Sequence, residues 1–159
     1  MGRRLIAGLS LGLALSLACA RPETPQFRTL KNVRFWGADL RSGTALLTAE
    51  AEFHNPNGIA LDVTSLELVV LLNDQQAATV RQAAGTQAAA HADFTLPIRV
   101  DLPLQIVADV LEDEGGSLLG GLLSGKQVDL RVDGWIRVKL RGIEVTAPIQ
   151  HQERIEIKL

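Results

Sequence analysis

Residues 127–141 alternate without a break. Val128, Leu130, Val132, Gly134, Ile136, Val138 and Leu140 share one parity, and Gln127, Asp129, Arg131, Asp133, Trp135, Arg137, Lys139 and Arg141 share the other. A helix would scatter those apolar side chains around its axis. Period two over this length instead demands a β-strand buried on one face and wet on the other. Such a strand cannot stand alone, because its backbone needs pairing partners on both sides and its apolar face needs a second layer. The chain must therefore supply further strands.

It does so. Over 44–54, Ala45, Leu47, Ala49, Ala51 and Phe53 oppose Thr48, Glu50, Glu52 and His54. Leu61 and Val63 begin another run, continued by Leu66, Leu68, Val70 and Leu72; the parity switch predicts a bulge near Thr64 and Ser65. Asn73-Asp74 predicts a turn into a weaker strand over 75–82, while the small residues of 85–91 leave loop and strand both open. Phe94, Leu96, Ile98 and Val100 alternate inward, with Pro97 on the outward parity, where its missing N–H suits an edge or a bulge. A less regular strand is expected over 29–36, through Leu30, Val33 and Phe35. Gly142 turns the chain into Ile143, Val145, Ala147 and Ile149, and 151–159 closes with Ile155, Ile157 and Leu159.

One stretch breaks the pattern. Leu104, Val107, Val110 and Leu111 recur at helical spacing, with Asp109, Glu112, Asp113 and Glu114 facing away, so a short helix is expected over 103–113. The Gly-rich segment after it carries Leu118, Leu119, Leu122 and Leu123. Those four read either as a cap on the core or as an exposed patch that meets a partner or a lipid surface. Together these elements predict an all-β fold: an immunoglobulin- or fibronectin type III-like β-sandwich of about seven strands with one short helix.

Between the second and third runs stands Asn55-Pro56-Asn57-Gly58. Asn tolerates left-handed backbone, Pro fixes φ, and Gly is free to take a positive φ. A strand reversal is expected there, setting the register around it, with the residues serving the backbone rather than chemistry.

The N-terminus reads as an address. Arg3 and Arg4 precede an apolar run from Leu5 to Leu17, too short for a comfortable membrane span. Leu15-Ser16-Leu17-Ala18-Cys19 resembles a relaxed bacterial lipobox, and Cys19 is the single cysteine of the chain. Residues 1–18 are thus expected to be a lipoprotein signal peptide, Cys19 the acylated residue, and 19–26 a tether. Ala20 stands where an inner-membrane retention signal would place Asp, which favours an outer-membrane address facing the periplasm. Without 1–18 the chain keeps 14 basic and 18 acidic side chains, a net charge of about −4. That balance and the absence of Tyr argue against nucleic acid and against electrostatic docking on anionic lipid.

Catalytic motifs are missing. His54, His91 and His151 sit in separate segments, in neither an HxH nor an HExxH spacing, so no metal site and no cofactor are expected. No Gly-x-Ser-x-Gly or phosphate-binding loop occurs, and no enzymatic activity is expected. The outward face of 127–141 reads as solvated charge pairs, or as a contact patch anchored by Trp135 and Arg137.

Taken together, residues 27–159 resemble the late embryogenesis abundant group 2 family, also called the water stress and hypersensitive response domain. The resemblance rests on Asn55-Pro56-Asn57 after an alternating strand. The amphipathic helix, Val132-Asp133-Gly134-Trp135-Ile136 and the paired closing strands support it. It implies a seven-stranded sandwich with a short helix, a role in desiccation or other stress, and no agreed catalytic residues; bacterial members are often exported lipoproteins. The expectation is a monomeric, membrane-anchored envelope protein that shields unfolding clients or membranes. The rival is a module that docks one envelope partner through Leu118 to Leu123 or the Trp135 face.

Overall fold

A computed structural model describes residues 21–113 and 125–157. Its strands are β1 (Gln26–Asp39), β2 (Thr44–His54), β3 (Leu61–Leu72), β4 (Gln75–Ala88), β5 (Asp93–Pro103), β6 (Lys126–Leu140) and β7 (Ile143–Ile157), with helix α1 (Leu104–Asp113) between β5 and β6. Two antiparallel sheets face each other, one ordered β1-β2-β5 and the other β4-β3-β6-β7.

The alternation in the sequence is the reason for this arrangement. Every apolar residue of one parity on β2, β5 and β6 is buried, from Ala45 to Phe53, Phe94 to Leu102 and Val128 to Leu140. Each fully buried Leu or Ile contributes about 2 kcal/mol of apolar transfer free energy, which drives the two faces together. Phe53 lies at the centre of one end of the core, stacked on Phe94 at 5.3 Å and meeting Phe27 edge-on at 5.5 Å. The sides close where β4 meets β5 and β1 meets β7. Gln82 Nε2 donates to Pro97 O at 3.1 Å across the first of these seams.

The turns follow local chemistry. Asn73 and Asp74 both take left-handed φ, 46° and 63°, which suits the two-residue turn joining β3 to β4. Arg141 (φ 47°) and Gly142 (φ 83°) do the same between β6 and β7. The bulge expected near Thr64 and Ser65 is present, as a register shift between Val63 and Ser65 against both neighbours. Pro97 lies on β5, an edge strand, as its missing N–H required. On α1, Val107, Val110 and Leu111 are buried, and Lys126 Nζ donates to Leu111 O at 2.8 Å, a cation at the helix C-terminus where the dipole favours it.

Several sequence expectations need correction. Residues 55–60 do not make a hairpin: β2 pairs with β1 and β5, while β3 belongs to the opposite sheet. The segment is a crossover between sheets and sets no register. Neither Asn55, Asn57 nor Gly58 takes a positive φ; the left-handed residue bonded to the segment is His91, at 52°. β1 and β4 run longer than expected, because pairing in a sheet overrides imperfect alternation. β4 absorbs most of the ambiguous 85–91 stretch. Residues 143–157 form one continuous strand rather than two runs.

Candidate functional site

The crossover after β2 is built around one side chain. Asn55 is fully buried, the only buried polar side chain among the described residues. Pro56 cannot extend the ladder of β2, so the chain must leave the sheet there. Asn55 then supplies the bonds the ladder no longer makes. Its Nδ2 donates to Ile59 O and to Ala89 O, both at 2.9 Å. Its Oδ1 accepts from Asn57 N and Asn57 Nδ2, both at 3.0 Å. A primary amide has two donor hydrogens and two acceptor lone pairs, and here all are used.

The crossover is also sewn to its neighbour, the β4–β5 connection. Asn55 N donates to Ala92 O at 2.9 Å, and His91 N donates to Asn57 O at 3.0 Å. Asn57 in turn holds the N-terminal segment: its Nδ2 donates to Glu23 O and its Oδ1 accepts from Glu23 N, both at 2.8 Å. Pro25 is buried beside them. Residues 23–25, read from the sequence as part of a free tether, are thus docked on the domain. No polar atom of the Asn55 side chain is left to act on a ligand.

The other candidates are dispersed. Trp135 is half-buried on the outer face of the four-stranded sheet, with the Arg137 guanidinium 4.9 Å from its ring centroid. Arg137 Nε also pairs with Glu144 at 3.1 Å. Arg131 bridges Asp74 and Asp133, Arg154 meets Asp129, and Arg81 meets Glu67 on the same sheet. Cys19 and the Leu118, Leu119, Leu122 and Leu123 segment lie outside the described residues.

The histidines do not converge. His54 Nδ1 contacts Asp93 Oδ1 at 2.7 Å on the outside of the three-stranded sheet, and His91 lies in the β4–β5 connection beside the crossover. His151 points inward near Phe27, with Glu153 Oε1 3.3 Å from its Nε2. Its inward direction was legible, since His151 has the parity of Ile149 and Ile155. Among the described residues no group of three His, Cys, Asp or Glu is placed to hold a metal ion. Asp39 is the carboxyl whose proton affinity is displaced: the Arg41 N–H, then the Ser42 hydroxyl, hold it below the ordinary 3.8.

Reading the sequence missed a second tryptophan surface. Trp36 is 51% exposed on the outer face of the three-stranded sheet, and Leu40, at the tip of the β1–β2 connection, is 85% exposed. The signal was parity, because Arg34 and Trp36 share the outward side of β1.

Comparison with known proteins places this architecture. A family model described as late embryogenesis abundant protein matches residues 51–153, from the end of β2 through most of β7. The chain belongs to the late embryogenesis abundant (LEA) type 2 family. The match covers the Asn55 crossover, so the buried amide network lies inside what the family model spans. No curated protein sequence matches the chain.

Solved structures share the fold of this LEA type 2 domain. A solution structure from Arabidopsis thaliana aligns with a TM-score of 0.69 at 15% identity, covering 87% of this chain and 85% of that one. A solution structure described as a late embryogenesis abundant protein aligns at 0.61 and 16% identity, covering 85% and 72%. A crystal structure of a protein from Archaeoglobus fulgidus aligns at 0.59 and 11%, covering 84% and 99%.

Proposed function

We propose that this LEA type 2 protein acts without chemistry, as a lipid-anchored envelope protein that protects other proteins or membranes during desiccation or related stress. Family membership carries the reading, since it points to a stress-related, non-enzymatic role. The spent hydrogen bonds of Asn55 agree with it: the Asn55-Pro56-Asn57 motif, near the start of the matched span, is a fastening of the fold.

The anchoring half of the proposal rests on the N-terminal sequence and on where the chain enters the sandwich. Glu23 is clipped to Asn57 at one end, and Cys19 precedes Glu23 by four residues, a reach of about 14 Å. An acyl group on Cys19 would hold the Asn55 end toward the bilayer. The β1–β2 tip, with Leu40, would then point away from it. No helix among the described residues is long and apolar enough to cross a membrane.

The deciding experiment dries a desiccation-sensitive enzyme with the mature protein, against an unrelated β-sandwich of similar size at equal mass. Recovery above the control supports protection. Recovery equal to the control removes it. In cells, Cys19→Ser should move the protein from the membrane to the soluble fraction; unchanged fractionation would refute the anchor.

A further inference from the structure

We infer that the outer face of the three-stranded sheet binds an isolated carboxylate, carried on a peptide between apolar residues, at the row Arg34–Thr48–Arg99. This goes beyond the protective role and holds whether or not that role is correct.

The two outer faces differ in how their charges are used. On the four-stranded sheet the arginines of β6 and β7 are tied to carboxylates, and Arg137 also covers Trp135. The arginines of those two strands are satisfied within the chain. On the three-stranded sheet, Arg34 of β1 and Arg99 of β5 are exposed, and among the described residues neither pairs with a carboxylate.

Register sets these two arginines across a short residue. Arg34 and Arg99 are the direct cross-strand partners of Thr48, one on each side. Their Cα atoms are therefore two strand spacings apart, about 10 Å. Guanidinium groups on side chains of that length can turn inward onto one carboxylate above Thr48. Thr48 forms the floor of a trough of about 450 Å³, whose walls include Arg34, Trp36, Pro97 and Arg99. Trp36 is fixed as a wall by its own bond, Nε1 to Thr48 Oγ1 at 2.8 Å, which leaves half its surface open to an apolar neighbour of the carboxylate.

The flanking charges define the ligand further. Glu50, which accepts from Asn32 Nδ2 at 2.8 Å, borders the row on one side, and Asp101, across from Leu46, borders it on the other. A continuous anion would meet both of these carboxylates. A flat anionic bilayer or a nucleic acid strand is therefore disfavoured. One carboxylate with apolar neighbours fits: its charge sits on the arginine row and its neighbours contact Trp36 and Pro97.

The test uses the mature protein carrying Trp135→Phe, so that Trp36 is its sole tryptophan. The probe is an end-capped peptide of about eight residues, a strand's length, with one Glu between two Leu. Saturable change in Trp36 emission is expected, and no change with the Gln analogue. Arg34→Gln and Arg99→Gln should each weaken binding about tenfold, as expected for a charged hydrogen bond, while Glu50→Gln should tighten it. Neither arginine is tied into the fold, so unchanged unfolding curves will show that these variants fold. Equal response to the Glu and Gln peptides would overturn the inference. So would a response to phosphatidylglycerol vesicles without one to the peptide, since lipid would then be the partner.

Discussion

Replacing Asn55 by Ala tests the claim that this side chain fastens the sandwich. The change removes a fully buried amide and the four hydrogen bonds it makes, to Ile59 O, Ala89 O, Asn57 N and Asn57 Nδ2. Each such bond is worth about 1 kcal/mol net. Asn57 and Ala89 are not fully buried, so water can recover part of the loss at their ends. A cost of about 3 kcal/mol is expected, a large share of the 5–15 kcal/mol that holds a typical domain together. At roughly 4 °C per kcal/mol for a domain of this size, the melting temperature should fall by about 12 °C. Asn55→Asp should be at least as damaging, because it sets a carboxyl against the carbonyls of Ile59 and Ala89 in place of the donating amide. Urea unfolding followed by tryptophan emission gives the free energy, and an unchanged m-value confirms that the same transition is measured. Asn57→Ala, which gives up two exposed bonds to Glu23 that water can replace and one bond to Asn55 Oδ1, should cost less, about 1–2 kcal/mol. If Asn55→Ala costs no more than Asn57→Ala, the network is not the fastening described here.

Three further outcomes follow from particular contacts. A Cβ at Gly134 would run into Glu67 O and come within 2.8 Å of Leu68 Cα, so Gly134→Ala should lower stability by about 3 kcal/mol or prevent folding, read by thermal unfolding. Trp135→Ala should cost under about 1 kcal/mol and leave protection of a dried enzyme unchanged, because the ring is half-exposed and its arginine keeps Glu144; loss of protection would restore Trp135 as a contact residue. Asp39 is more acidic folded than unfolded, so its contribution is complete above its unfolded pKa, near 3.8, and fades as pH falls through the lower folded value. Asp39→Asn should abolish that acid-dependent part, seen as faster amide exchange at Arg41 already at neutral pH.

The resemblance drawn from residues 27–159 and the family match agree, and the element order was legible as far as β6, with the last two expected runs merging into β7. Much of the candidate site was not. Asn55-Pro56-Asn57 announced an interruption, but a reversal and a crossover use the same residue types. Which one forms depends on whether the flanking strands share a sheet, and sequence adjacency does not encode that. The same limit hid the Trp36 surface. Parity placed Arg34 and Trp36 outward on β1, and Arg99 outward on β5, yet nothing local put the two arginines on either side of Thr48.

By itself, the sequence determined which residues face the core, where the bulge at Thr64–Ser65 falls, where the helix lies and why Pro97 needs an edge. Each of these follows from a period, a steric restriction or a missing donor within a few residues. Only the tertiary structure decided how the strands divide between sheets, what Asn55 bonds to and which tryptophan stands open. Those outcomes depend on contacts between segments far apart in the chain, chosen by the packing of two apolar faces as a whole.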